Sequence, residues 1–148
     1  MENKPLRILL ADDDESDRLL FKEAFAELEI KTTVHTVNNG MQLMDYLTAK
    51  DALVPDLIFL DLNMPRKSGL ECLKEIRSNE KFKAVPIAIY STSASEKDIR
   101  ETFLKGANVY IKKPSDFGTL KQVLAKAVTT TYLYKEPPFT IENFLLKI

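Results

Sequence analysis

The segment Asp56-Leu57-Ile58-Phe59-Leu60-Asp61-Leu62-Asn63-Met64-Pro65 sets four apolar residues directly against an acid, with a proline four residues on. An apolar run this short, closed by a turn signal, reads as a strand buried on both faces, the kind found inside parallel sheets. Read as the strand Asp56 to Leu60, it has four companions: Leu6 to Ala11, Thr32 to Val37, Pro86 to Tyr90 and Asn108 to Ile111. In Thr32 to Val37 the residue types alternate instead, which suits a strand near the sheet edge with one wet side. Segments of helical period lie between the runs, and each opens on capping chemistry. The openings are Asp14 with Asp17 three residues on, Asn38-Asn39-Gly40, Ser68-Gly69, Ser95 followed by Glu96 and Asp98, and Ser115-Asp116. Leu19, Leu20, Phe25, Ala26 and Leu28 supply the apolar spacing of the first helix.

Strands that alternate with helices imply a parallel sheet covered on both faces. Right-handed crossovers in so short a chain predict an α/β fold: a flavodoxin-like (βα)5 doubly wound five-stranded parallel sheet of order 2-1-3-4-5. Residues 1–130 are expected to form that domain, and 131–148 an apolar C-terminal extension that is not a separate domain. Pro137-Pro138 breaks any continuous helix there. Phe139, Ile141, Phe144, Leu145 and Ile148 are too apolar for a solvating tail and should cover either this subunit or a second copy.

Composition narrows the function. The 148 residues are 45% hydrophobic and 29% charged, which is a globular balance. Lys and Arg number 21 against 22 Asp and Glu, so no basic field favours direct DNA or RNA binding. Cys72 is the single cysteine and makes no internal disulfide; beside Leu70, Leu73 and Ile76 it reads as a packing residue. The start is polar and no apolar run approaches the ~20 residues of a membrane span, so a cytoplasmic protein is expected, without membrane contact. The four glycines, Gly40, Gly69, Gly106 and Gly118, cannot assemble a glycine-rich nucleotide loop.

Ligands of open α/β sheets bind outside the carboxyl ends of the strands, where strand order reverses. At that edge the first strand runs into Asp12-Asp13-Asp14-Glu15 and the third into Asp61-Leu62-Asn63. The fourth ends in Ser91-Thr92-Ser93 and the fifth in Lys112-Lys113-Pro114. Converging carboxylates repel, and a divalent cation relieves them; an open oxygen site of this kind suits Mg²⁺. A carboxylate there can accept a phosphoryl group, which makes Asp61 the candidate nucleophile. Each part also has an ordinary explanation. Acids collect at helix N-termini, Ser91 can cap a helix, Lys113 can solvate a strand end, and Tyr110 can be a packed strand aromatic. It is their concurrence at one edge that favours a site.

Together these motifs resemble the receiver domains of response regulators, the CheY-like family, from Leu6 to about Thr130. Asp12-Asp13 resembles the acidic pair, Asp61 to Pro65 with Gly69 the phosphoacceptor segment, Ser91 the hydroxyl position, Tyr110 the aromatic switch, and Lys113-Pro114 the lysine-proline pair. The resemblance implies a two-component signalling protein, not an enzyme in the ordinary sense, that takes a phosphoryl group on Asp61 from a sensor histidine kinase or phosphotransfer protein. Mg²⁺ would be held by Asp13, Asp61 and the Asn63 carbonyl, with Asp12 acting directly or through water. Lys113 and Ser91 would contact the phosphoryl group, Ser91 and Tyr110 would form the switch, and the bond before Pro114 would be cis. Output would be contact with an unknown downstream protein through the fourth helix, fifth strand and fifth helix, where Arg100, Phe103, Lys105 and Lys121 lie. A homodimer through that surface or the C-terminal tail is also implied, since the tail resembles the extended ends of receivers serving bacterial phytochromes. Two alternatives stand: a phosphorylation-independent scaffold, and a haloacid-dehalogenase-like phosphatase. The second needs an acid where Asn63 stands, and an amide cannot act as general acid or base.

Overall fold

The computed structural model describes residues 4–133 and 141–146. Five parallel strands alternate with helices: β1 (Leu6–Ala11), α1 (Glu15–Glu27), β2 (Thr32–Val37), α2 (Gly40–Thr48), β3 (Leu57–Leu60), α3 (Gly69–Arg77), β4 (Ile87–Ser91), α4 (Glu96–Leu104), β5 (Val109–Lys112) and α5 (Phe117–Val128). A π-helical turn, Thr129–Leu133, and a single turn α6, Ile141–Phe144, follow. The sheet order is β2-β1-β3-β4-β5, the doubly wound order expected. β2 lies at the edge with its burial alternating, and β3 and β4 are buried at every residue.

In three strands the starts, and in two of them also the ends, fall one residue later than the apolar runs suggest, for local reasons. Asp56 leaves the ladder because its carboxylate accepts the Arg7 N–H at 2.8 Å. At the other end, Ser91 pairs with Lys112 and lengthens β4 and β5 past the apolar residues. All five helix openings carry the capping side chains expected. Asp14, Asn39, Ser68, Ser95 and Asp116 each accept from the backbone N–H three residues on, and Ser68 forms a full capping box with Glu71.

Alternate strand residues feed two cores. Leu9, Ile58, Leu60, Ile87 and Ile89 pack with Leu43, Leu47, Leu73 and Ile76 of α2 and α3. Ile8, Leu10, Leu57 and Phe59 pack with α1 and α5. The face of α1 differs from the expected one. Phe21, Ala24 and Phe25 are buried, whereas Leu19 and Leu20 are 56% and 44% exposed. Aromatic packing decides it: Phe21 stands 5.0 Å from both Phe25 and Phe59 and 5.7 Å from Tyr90, ring centre to ring centre. Such pairs add roughly 0.5–1.5 kcal/mol each beyond burial, which two leucines on that face could not supply.

At the amino end of the sheet, Arg77 closes α3 with its guanidinium spread over four oxygens. It donates to the carbonyls of Gly106 (2.8 Å), Lys83 (3.2 Å) and Val85 (2.6 Å) and to Asn108 Oδ1 (2.8 Å).

Candidate functional site

The acids meet because the ladder continues past the strand ends. Asp61 N–H donates to the Ala11 carbonyl at 3.0 Å and Asp12 N–H to that of Val37 at 3.1 Å, so β1 and β3 deliver their first acids side by side. Lys113 N–H donates to the Ser91 carbonyl at 2.8 Å and brings β4 and β5 to the same edge. Behind Asp61 the chain doubles back through a bond from Gly69 N–H to Leu62 O at 2.9 Å. Only glycine fits there, since a Cβ on Gly69 would stand 2.2 Å from the Asp61 carbonyl oxygen.

Asp12, Asp13 and Asp61 each offer a carboxylate oxygen within 4.8 Å of the others. Asp12 is wholly buried, Asp61 is 5% exposed and Asp13 faces solvent. Lys113 reaches in from β5, with Nζ 2.8 Å from Asp12 Oδ2, 2.9 Å from Asp17 Oδ2 and 3.7 Å from Asp61 Oδ2. Its ammonium also lies 5.2 Å from the centre of the Tyr90 ring. Asp12 Oδ1 accepts the Asp14 N–H, and the Arg18 guanidinium donates to the Asp12 carbonyl. Asn63 N–H approaches Asp61 Oδ1 at 3.4 Å, so the Asn63 peptide wraps the Asp61 carboxylate.

The electrostatics follow from burial and from four carboxylates facing one ammonium. Burial raises the Asp61 carboxyl to about 6; Lys113 pulls it down, and Asp12 and Asp13 push it up. Burial also raises Asp12, against the hydrogen bond from Lys113. For Lys113, burial disfavours the ammonium, but hydrogen bonding to Asp12 and Asp17 outweighs it and the group ends above the ordinary lysine range. The residues fit a divalent cation. Asp12 Oδ2 is buried with the Lys113 ammonium 2.8 Å away. The donors are hard oxygens, and one lysine leaves the cluster strongly anionic.

The other expected residues take varied places. The Ser91 hydroxyl is buried at the same edge and accepts the Ser93 N–H at 3.2 Å. Tyr110 is wholly buried and its hydroxyl donates to the Ser93 carbonyl at 2.7 Å. Asp14 is the N-cap of α1 rather than a member of the acidic cluster. The expected cis bond before Pro114 is absent, because no peptide among the described residues is cis. Trans is the lower-energy isomer of an X-Pro bond by roughly 0.5–1 kcal/mol, and Lys113 reaches its partners with it. Asp17 was not among the expected site residues, although it holds Lys113. Its position as the third residue of α1, in the turn that follows the Asp12-Asp13-Asp14 run, is the signal that marks it.

A parallel doubly wound sheet thus carries a buried, lysine-paired aspartate in an acidic pocket at the carboxyl ends of its strands. Residues 8–125 match the family described as the response regulator receiver domain, and the chain belongs to that family. It is 32% identical over 115 residues to the response regulator Rcp1 of Synechocystis, covering 75% of this chain and 78% of that one. The solved structure of the phosphorylated cyanobacterial phytochrome response regulator RcpA superposes with a TM-score of 0.79 at 35% identity, over 91% of this chain and all of that one. The Mn²⁺-bound form of Rcp1 gives 0.79 at 27% identity, with the same coverage. The protein is thus a CheY-like receiver of two-component signalling. No helix among the described residues is long and apolar enough to cross a membrane.

Proposed function

We propose that Asp61 accepts a phosphoryl group from the phosphohistidine of a sensor histidine kinase or phosphotransfer protein, and that the charge so placed alters protein contacts. The observation that carries this is the buried Asp61 carboxylate held beside Asp12, Asp13 and the Lys113 ammonium. With a carboxyl group near 6, Asp61 is largely ionised at neutral pH and supplies the attacking oxygen. A bond forms from Asp61 Oδ to phosphorus as the phosphorus–nitrogen bond breaks, and the departing imidazole takes its proton from solvent. Lys113 and the Ser91 hydroxyl hold phosphoryl oxygens, while Asp12 and Asp17 orient the Lys113 ammonium. Mg²⁺, when bound by Asp13, Asp61, the Asn63 carbonyl and Asp12, offsets the charge on the transferring oxygens.

Two structural neighbours support this reading: RcpA is a phosphorylated receiver and Rcp1 binds Mn²⁺. Asn63, exposed and amide-bearing, leaves the phosphatase alternative without its second acid. Signalling by contact fits the surface, where Arg100 and Lys105 of the α4 region are exposed and Lys121 is tied to Glu27 at 3.1 Å. The test is labelling by acetyl phosphate with Mg²⁺, read by intact mass. One phosphoryl group is expected on the wild type and none on Asp61→Asn; equal labelling of the variant overturns the assignment.

A further inference from the structure

The groove between α4 and the edge strand β5 is filled by the chain's own C-terminal segment. Phe144 is wholly buried, with its ring 5.3 Å from Phe103 of α4 and 6.0 Å from Tyr110 of β5, both near edge-on. Leu145 forms a parallel bridge with Tyr110, and Leu146 N–H donates to the Tyr110 carbonyl at 2.9 Å. Part of the open β5 edge is thereby paired, in the manner of a strand added to a sheet. The described part of the tail, residues 141–146, therefore covers its own subunit at α4 and β5. Pro137-Pro138, Phe139 and Ile148 lie outside the described residues.

Tyr110 is held from both ends. Its carbonyl accepts from Leu146, and its hydroxyl donates to the carbonyl of Ser93, whose N–H in turn donates to the Ser91 hydroxyl. A run of direct contacts thus leads from the hydroxyl expected to bind the phosphoryl group to the last described residues. The buried ring has no solvent-facing side while Phe144 sits against it, so swinging Tyr110 out requires lifting Phe144.

The geometry points to the α4–β5 groove as a peptide site whose resident ligand is residues 141–146, with its occupancy and phosphoryl capture at Asp61 favouring each other. This rests on the phosphoacceptor reading of Asp61. Docked Phe144 keeps the Tyr110 hydroxyl on the loop after β4, and a phosphoryl group drawing in Ser91 acts on that same loop. Two ligands that bias one two-state element change each other's affinity by the same factor.

Beryllofluoride with Mg²⁺, a mimic of the phosphoryl group, supplies the probe. It is titrated into the full chain, Phe144→Ala and Leu146→Pro, with tyrosine fluorescence as readout and cooperative urea unfolding to show that each variant is folded. Leu146→Pro removes the N–H bonded to Tyr110 and leaves the buried aromatics in place. Both variants are expected to bind at least about fivefold more weakly than the full chain. Exchange of the Leu146 amide in the full chain should slow by a similar factor on saturation. Equal affinity in all three proteins overturns the coupling. An affinity ratio that changes with protein concentration also overturns it, because the segment would then dock on a second copy. Failure of the full chain itself to bind the probe or to take label instead overturns the reading of Asp61, and the inference with it.

Discussion

Replacing Asp61 by asparagine should make the metal-free protein more stable, although it removes the group on which function depends. Burial and the neighbouring acids raise this carboxyl from its ordinary 3.8 to about 6, so the native state binds its proton more tightly than the unfolded chain does. Stability therefore falls as pH rises from about 3.8 to about 6 and stays lowered above that window. At about 1.36 kcal/mol per unit, the ionised group costs the fold about 3 kcal/mol at pH 7.5 and about 1 kcal/mol at pH 4.5. Asparagine is close in shape and uncharged, so it should recover most of that cost. Urea unfolding of wild type and variant at both pH values, in chelator, measures the gap directly. Added Mg²⁺ should narrow it at pH 7.5, because ligand bound only to the native wild type stabilises by about 2.7 kcal/mol at one hundred times its Kd. Equal stabilities at pH 7.5, or a gap independent of pH, would refute the electrostatic account of the site.

Gly69→Ala should lower stability by about 1–3 kcal/mol and slow acetyl phosphate labelling, because its methyl group must displace the Asp61 carbonyl; wild-type behaviour in both assays would show that the close approach has no consequence. Phe21→Ala should cost about 3–5 kcal/mol in urea unfolding while Leu20→Ala changes stability by less than about 0.5 kcal/mol, and similar losses from both would contradict the orientation of α1.

The strands and the acidic edge were legible because their signals are local. A buried parallel strand needs an unbroken apolar run, and Asp12, Asp13, Asp61, Ser91 and Lys113 each stand within two residues of the end of such a run. Cap residues were equally plain, since a helix start is decided within four residues. What escaped notice depends on contacts remote in sequence. The α1 face was misplaced because Leu19-Leu20-Phe21 offers two apolar stripes, and only Phe59 and Tyr90 from distant strands choose between them. Asp17 lies 96 positions from the lysine it holds. The docking of Phe144 on Phe103 and Tyr110 was open in the sequence, which offered this subunit and a second copy equally.

Arg77 gives the molecule an anchor at the amino end of its sheet. Its charge is fixed at any physiological pH and its planar donors are spent on the segments that precede β4 and β5. α3 and the segments that enter β4 and β5 are therefore riveted together at the end of the sheet far from the acids.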